Sequence, residues 1–285
     1  PGNPNVIMQN MPAAGGIVAA NYIYGVTKPD GLTIASINPA HYFNQLQGNK
    51  EIKFDWPKFT WIASPDKSEH LLYIRSDAPY KSIQDIRNAK EPPKCGATGT
   101  GTSGHYIPRL LEELLGTKFN IVVGYAGGNE IDIATERNEV VCRSFTTQAY
   151  FSREPYHTWR KKNFVRILMQ TGEKKDPQLP DTPLLSDLMN EFKTPELSRR
   201  VAIVMLGSGE LGRPMVTHPA TPPDRTKLLR DGFVKAMADP ALLEEAKQKK
   251  LDITPVSGEQ LAKIAKDVID QPAEVVERIK KILAQ

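Results

Sequence analysis

The chain has few cysteines, no long apolar run and no excess of one charge. It contains 285 residues with two cysteines, and its formal net charge at pH 7 is +4. A membrane-spanning helix needs about 20 mostly apolar residues, which no segment offers. Acidic residues are interspersed with the basic ones, so the sequence predicts no nucleic-acid-binding face. The apolar content of 40% and the charged content of 25% are typical of a globular protein.

Groups for catalysis and metal binding are also missing from the sequence. The five histidines are scattered, and neither they nor the cysteines have the spacing of a metal site. No Ser-His-Asp or Cys-His order stands out, and there is no GxSxG elbow. We therefore expect no catalytic residue, no metal and no cofactor.

Strand and helix patterns alternate along the chain, which predicts an α/β protein with parallel sheets flanked by helices in two lobes. Strands are predicted at 5–9, 32–37, 61–63, 71–75, 94–96, 119–123, 140–145 and 164–169. Helices are predicted at 17–24, 82–88, 107–115, 129–137, 223–238 and 241–250, after a capping box at 257–260, and from 272 to the end. After the apolar run 201–206 the chain is expected to turn helical.

The segment from Cys95 to His105 is the most informative one, because a glycine-rich turn leads there from a strand into a helix. Unpaired N–H groups and the helix dipole at such a point form an anion site. Similar turns occur at 12–16 and 124–128, and such turns lie at the carboxyl ends of strands, where ligands bind. The three turns would then line one cleft. The alternative is that the turn between Cys95 and His105 only allows tight packing of the helix on the strand.

A nucleotide site is the second interpretation, since Gly99 to Gly104 matches GxGxxG. The next strand, however, ends near Tyr125 without the carboxylate that would bind a ribose, and the turn lacks the lysine of a phosphate-binding loop. An α/β nucleotide-binding enzyme therefore stays the alternative function. A fragment that folds and binds nothing is a third.

Three further residues have two interpretations each. Arg143 interrupts an apolar strand, so it either faces solvent or meets a carboxylate in the cleft. Cys95 and Cys142 lie in predicted strands and are either two buried free thiols or a disulfide.

The order of several motifs resembles one known family. Met11 to Gly16 with Lys28 to Leu32 resembles the "RPGAGG … PDGYTL" signature of the tripartite tricarboxylate transporter receptors, also called Bug-type solute-binding proteins. Further segments are similar to its "GSSGxGSxxH", "PYKGG", "xTxxR…LPDVPT" and "APAGTPP" motifs, in the same order at 96–105, 124–128, 170–183 and 217–224.

The resemblance implies a Venus-flytrap periplasmic binding protein of type II. Lobe 1 would comprise 1–75 and 201–285, and lobe 2 would comprise 76–200. Each lobe would be a mainly parallel sheet flanked by helices. The implied function is a non-enzymatic periplasmic receptor that captures a small organic carboxylate in the interlobe cleft and delivers it to membrane permease subunits.

Backbone amides in glycine loops grip the carboxylate in this family, which implies where the ligand lies. Together with Arg143, the expected ligand-binding residues are Ala13, Ala14, Gly15, Gly16, Thr98, Gly99, Thr100, Gly101, Thr102, Ser103, Tyr125 and Gly127. The threonines and the serine would donate hydroxyl hydrogen bonds, and Tyr125 would lie at the mouth.

Two departures from the family pattern affect these expectations. Family members begin with a strand and a "PxxxGGxxD" loop that forms one wall of the site, whereas the given residues start at about the following strand. Lobe 1 is therefore expected to lack its first strand, loop and helix. The family topology also makes the strands of Cys95 and Cys142 neighbours, which favours the disulfide.

Overall fold

The structure is a computed structural model, and the residues that it describes are 5–11, 13–99, 102–249, 251 and 253–284. The chain divides into two compact units. The first unit comprises residues 1–66, 211–243 and 253–269. The second unit comprises residues 67–210, 244–252 and 270–285.

Strands and helices alternate through both units. The strands of the described residues are β1 (Ala35–Ser36), β2 (Thr60–Ser64), β3 (His70–Arg75), β4 (Lys94–Gly96), β5 (Asn120–Val122), β6 (Cys142–Thr146), β7 (Val165–Gln170), β8 (Met215–Thr217) and β9 (Val256–Ser257). The α-helices are α1 (Ile17–Gly25), α2 (His41–Leu46), α3 (Ile83–Arg87), α4 (Ser103–Leu115), α5 (Gly128–Glu136), α6 (Thr147–Ser152), α7 (Tyr156–Lys161), α8 (Leu185–Glu191), α9 (Glu196–Leu211), α10 (Pro223–Met237), α11 (Pro240–Gln248), α12 (Gly258–Asp267) and α13 (Ala273–Leu283).

The first unit is built on an antiparallel sheet with the strand order β1-β8-β2-β9. Its core is aromatic: the rings of Trp56 and Trp61 are almost fully buried and meet edge to face, 5.0 Å apart. Phe59 packs edge to face against both tryptophans. Aromatic pairs in this geometry add about 0.5–1.5 kcal/mol beyond the burial of their area. The cluster therefore fixes the chain where it enters β2.

The second unit has the strand order β5-β4-β6-β3-β7. Pairing is parallel from β5 through β4 to β6, because α4 and α5 carry the chain back between successive strands. The two remaining pairs, β6 with β3 and β3 with β7, are antiparallel. The carboxyl ends of β4 and β5 consequently lie at one edge of this sheet.

Several predicted elements differ in the structure. The chain is helical after the apolar run 201–206, as predicted, but the run itself already lies inside α9, because a short apolar run cannot by itself distinguish a buried helix from a strand. No strand forms at 5–9, where Val6, Ile7 and Met8 are exposed and no described strand pairs with them. The expectation of mainly parallel sheets is wrong for the first unit, because its strands come from distant chain segments that no crossover helix connects.

The unit boundaries also fall elsewhere than the predicted lobe boundaries. The chain changes units at 66/67 and 210/211, whereas the sequence predicted 75/76 and 200/201. Strand β3 belongs with the second unit because it pairs with β6 and β7. Helix α13 joins that unit through contacts with α4. As a division into functional lobes, the sequence-based boundaries stay a prediction.

The structure confirms two helix starts that the sequence predicted. Ser82 caps α3, and its hydroxyl accepts a hydrogen bond from the Asp85 amide. Ser257 caps α12 with Gln260 in a reciprocal capping box, as the spacing predicted.

A disulfide ties the parallel part of the second sheet. Cys95 on β4 and Cys142 on β6 are direct partners in the ladder, with a Cα–Cα distance of 4.4 Å, and their sulfurs are bonded. Both residues are fully buried. The bond therefore holds together the strands whose following loops lie at the same sheet edge.

Removing this disulfide should strongly destabilise the protein. Its sequence separation is 47 residues, so the loop-closure entropy of the unfolded chain predicts a loss of about 4 kcal/mol in unfolding free energy. The test is urea unfolding of the oxidised protein against the double variant Cys95→Ala/Cys142→Ala. Two titratable thiols in the denatured, unreduced protein would contradict the assignment.

A buried histidine makes the stability of the second unit depend on pH. His70 begins β3, and burial lowers its pKa from 6.5 to about 4. Between these values the unfolded chain binds a proton that the folded chain does not bind. The unfolding free energy should therefore fall by about 3 kcal/mol as the pH is lowered from 6.5 to 4.

The measurement is urea unfolding of wild type and His70→Gln at pH 7, 5.5 and 4.5. The difference between the two proteins should shrink as the pH falls. Parallel pH profiles would show that His70 does not titrate in this way.

Candidate functional site

The turn after β4 uses its own hydroxyl group to close. Thr102 is the N-cap residue of α4, with an extended backbone, yet its side chain makes no capping hydrogen bond. Its Oγ1 donates to the Gly99 carbonyl at 2.8 Å, so this hydroxyl proton serves the turn. Thr98 and Ser103 are partly exposed beside it. Two further predicted ligand-binding residues of this turn lie outside the described residues, Thr100 and Gly101.

The first amides of α4 are left without acceptors. The third and fourth amides of the helix bond to the Thr102 carbonyl at 2.8 and 2.9 Å. Those of Ser103 and Gly104 have no acceptor in the part of the chain that the structure describes. A Cβ on Gly104 would lie 3.1 Å from the Gly96 carbonyl oxygen, so the helix begins directly against the end of β4. This helix start can bind an anion.

Helix α5 begins in a similar way after β5. Its N-cap residue, Gly127, has an extended backbone and no side chain with which to cap. Because β4 and β5 are neighbouring parallel strands, α4 and α5 start at the same edge of the sheet. Tyr125 in the preceding loop packs against the apolar cluster of Ile131, Ala134 and Val140. Burial, followed by the charge of Glu139, raises its pKa.

Arg143 lies on β6 and reaches the start of α5. Its Nη1 donates to the Gly128 carbonyl at 3.0 Å, to Asp132 Oδ1 at 2.7 Å and to the Tyr156 hydroxyl at 2.9 Å. Only 8% of the residue is exposed, and the guanidinium lies 4.7 Å from the centre of the Phe145 ring. Arg143 therefore does not face solvent, and the carboxylate that it meets belongs to its own chain.

Asp132 neutralises this buried cation. The Tyr156 hydroxyl lies 2.8 Å from each of its carboxylate oxygens, so the carboxylate has two different donors. Burial raises the pKa of Asp132, while Arg143 and the Tyr156 hydroxyl act in the opposite direction. Burial also raises the pKa of Tyr156, which keeps its hydroxyl protonated as a donor.

Two residues complete this region: Gly128, the last residue of the predicted turn 124–128, and Arg153, which sequence reasoning did not single out. A Cβ on Gly128 would lie 2.5 Å from Arg143 Nη2 and 3.2 Å from Arg153 Nη2, so the glycine admits both guanidinium groups to the start of α5. Arg153 is exposed, with its guanidinium 5.6 Å from the centre of the Tyr156 ring. The apolar strand around Arg143 left open in the sequence whether this charge is buried, and no spacing identified its partners.

The remaining predicted turn belongs to the first unit. Ala13, Ala14, Gly15 and Gly16 form a 3₁₀ turn that runs into α1. Gly16 has a φ of 92°, a left-handed value that favours glycine, and it lies beside the buried ring of His41. Burial lowers the pKa of His41, so the ring next to this turn is neutral near pH 7.

Metal and membrane sites find no support in the described residues. No cluster of three or more histidine, cysteine, aspartate or glutamate side chains there could hold a metal ion. No described helix is long and apolar enough to cross a membrane.

His105, in the first turn of α4, is buried, and its burial lowers its pKa.

Sequence comparison connects these features with a known family. A family model described as the tripartite tricarboxylate transporter family receptor matches residues 2–281. Comparison with curated proteins finds no significant match.

Solved structures share the fold across almost the whole chain. A TctC solute-binding protein from Polaromonas is 17% identical, with a TM-score of 0.72 over 98% of this chain and 87% of its own. The periplasmic binding protein BugD is 19% identical, with a TM-score of 0.61 over 95% and 84%. MatC from Rhodopseudomonas palustris, with bound malate, is 16% identical, with a TM-score of 0.58 over 95% and 85%. The predicted periplasmic-binding-protein fold is thereby confirmed.

Breaking the buried ion pair should be costly. Asp132→Asn leaves the Arg143 guanidinium buried without a counter-charge, and we expect a loss of about 3–5 kcal/mol in unfolding free energy. The matched control is Glu130→Gln, an exposed carboxylate in the first turn of the same helix, which should change stability by less than about 0.5 kcal/mol. Urea unfolding of both variants measures the difference, and equal stabilities would contradict the role of Asp132.

Proposed function

Because the chain belongs to the tripartite tricarboxylate transporter receptor family, we propose that it captures a small organic carboxylate and presents it to the membrane permease subunits of such a transporter. The family is one of receptors, so the chain is a binding protein and not an enzyme. A receptor that presents its ligand to such a permease from the outer side acts in the periplasm, which is therefore the proposed location.

The observation that carries the carboxylate proposal is the pair of helix starts without side-chain caps. N-cap residues usually satisfy first-turn amides with a side-chain oxygen. Neither Thr102 nor Gly127 does so, although Thr102 has a hydroxyl group at the N-cap position. The free amides and the helix dipole favour an acceptor with negative charge, and a carboxylate fits that requirement.

Further support comes from the chemistry of the site and from one relative. MatC, which shares the fold, was solved with malate, a carboxylate. A nucleotide at the same edge would need an acid for its ribose hydroxyls, and the carboxylate of Asp132 is already bonded to Arg143 and Tyr156. The 13–16 turn of the first unit remains a predicted ligand contact, because it is a glycine-rich turn that leads into a helix.

A pair of substitutions at Ser103 tests the amide site directly. Proline is tolerated at the first position of a helix, and the extended backbone of Thr102 is compatible with a following proline. Ser103→Pro therefore removes one N–H donor at the start of α4. Ser103→Ala removes the same hydroxyl group but keeps the N–H donor, so it is the matched control.

We expect Ser103→Pro to bind the carboxylate about tenfold more weakly than Ser103→Ala, because a hydrogen bond to a charged group contributes about 1.5–3 kcal/mol. A thermal-shift screen of organic acids, NAD and ATP first identifies the ligand. Isothermal titration calorimetry then measures its affinity for both variants. Equal affinities of the two variants would argue against the amide site. A response to NAD or ATP alone would overturn the receptor proposal.

A further inference from the structure

We propose that a cavity in the second unit binds the phosphate group of a ligand with an apolar body, at a site separate from the one proposed for the carboxylate. The cavity has a volume of about 780 Å³, within the range of small-molecule sites, and all its lining residues belong to the second unit. Three cations line it, Arg160, Lys161 and Lys247, with the apolar side chains of Phe151 and Leu251 and with no acid among the described residues. None of the residues assigned above to the carboxylate site lines it.

Arg160 is held in place by aromatic rings and not by acids. Its guanidinium carbon lies 4.7 Å from the centre of the Phe151 ring and 5.6 Å from that of the Tyr150 ring. Tyr150 is buried in the core of the unit, and its ring meets that of Phe151 edge to face. The part of the chain that the structure describes offers the Arg160 side chain no hydrogen-bond acceptor and no ion pair. Its N–H groups are therefore available for a forked contact with an oxyanion.

A histidine fixes the backbone beneath this arginine. His157 Nε2 lies 2.7 Å from the Phe151 carbonyl oxygen, and because a carbonyl only accepts, Nε2 is the donor. This hydrogen bond ties the end of α6 to α7. Arg160 follows His157 by three residues on α7, so both side chains lie on the same face of that helix. The aromatic rings and the arginine over them are thus positioned relative to each other before a ligand binds.

The charges around the cavity favour an anion with more than one negative charge. Lys161 ends α7 and Lys247 lies in the last turn of α11, and neither forms an ion pair with a described residue. Glu154 lies just before α7. A backbone hydrogen bond lowers the pKa of Glu154, and the charge of Lys161 acts in the same direction. Glu154 therefore offsets one of the three cations, and Arg160 and Lys247 remain without a counter-charge among the described residues.

A phosphate monoester suits this arrangement. It carries a charge of about −1.5 to −2 at pH 7 and three strong acceptor oxygens, so it can meet an arginine fork and a lysine at once. A single carboxylate would leave one of the two cations unpaired. Phe151 and Leu251 supply apolar surface against which the body of the ligand can pack. A soluble phosphate ester and a phospholipid headgroup both present this chemistry.

The test uses phenyl phosphate, with phenyl sulfate as a ligand of the same shape and lower charge. Calorimetry on the full chain should show that Arg160→Gln and Lys247→Gln each weaken phenyl phosphate binding by about tenfold. Phenyl sulfate should bind wild type more weakly than phenyl phosphate. The matched control is Lys249→Gln, which removes the same charge next to the cavity from a lysine that already pairs with Glu245. It should change the affinity less than about twofold.

Vesicles of phosphatidylcholine with phosphatidic acid separate the two sources of phosphate. Binding to these vesicles that Arg160→Gln abolishes, without binding of phenyl phosphate, would support the site and assign it to a lipid headgroup. If wild type binds neither probe, or if both cavity variants bind as tightly as wild type, the proposal is overturned. Equal affinities for phenyl sulfate and phenyl phosphate would overturn the assignment to phosphate.

The carboxylate identified in the thermal-shift screen serves as a second control. It should bind Arg160→Gln as tightly as wild type, because the carboxylate site uses other residues. An equal loss of affinity for this carboxylate and for phenyl phosphate would overturn the separate site. The receptor function does not depend on the phosphate result, since it is tested at Ser103.

Discussion

The buried ion pair between Arg143 and Asp132 is the interaction on which the rest of the second unit's site depends. An arginine that is more than nine-tenths buried needs both a counter-charge and hydrogen-bond acceptors, because an unpaired buried charge is strongly unfavourable. Asp132 and the Tyr156 hydroxyl meet both needs from α5 and α7. The pair thus joins β6 to two helices and fixes the position of the start of α5.

Close packing determines how the arginine reaches the start of α5. Among the described residues, Nη1 makes all the hydrogen bonds of the guanidinium, and Gly128 admits the group because a Cβ there would lie 2.5 Å from Nη2. The disulfide between Cys95 and Cys142 acts on the other half of the site, because it ties β4 to β6 and so keeps the start of α4 in register with Arg143. A backbone-dominated site needs such fixed strands, since it has few side chains that could adapt.

Local signals in the sequence predicted much of this arrangement. The strand, glycine turn and helix at 94–115 were predictable because turn glycines and helix periodicity act over a few residues. The sequence predicted helix only after the apolar run 201–206, although the run itself lies inside α9, because its neighbours in space decide whether such a run is a helix or a strand. The partner of Arg143 was not predictable for the same reason: Asp132 and Tyr156 reach it only through the crossover and the pairing of β6.

Selectivity in this site follows from the difference between amides and guanidinium groups. Free amides at a helix start orient a carboxylate but carry no net charge, so they treat all carboxylates alike. Discrimination must come from charged side chains at the far end of the ligand. A buried arginine can supply direction but little net charge, because folding requires its own counter-ion, Asp132. The buried residue therefore fixes the geometry of the helix start, and net charge that selects a ligand has to come from exposed side chains.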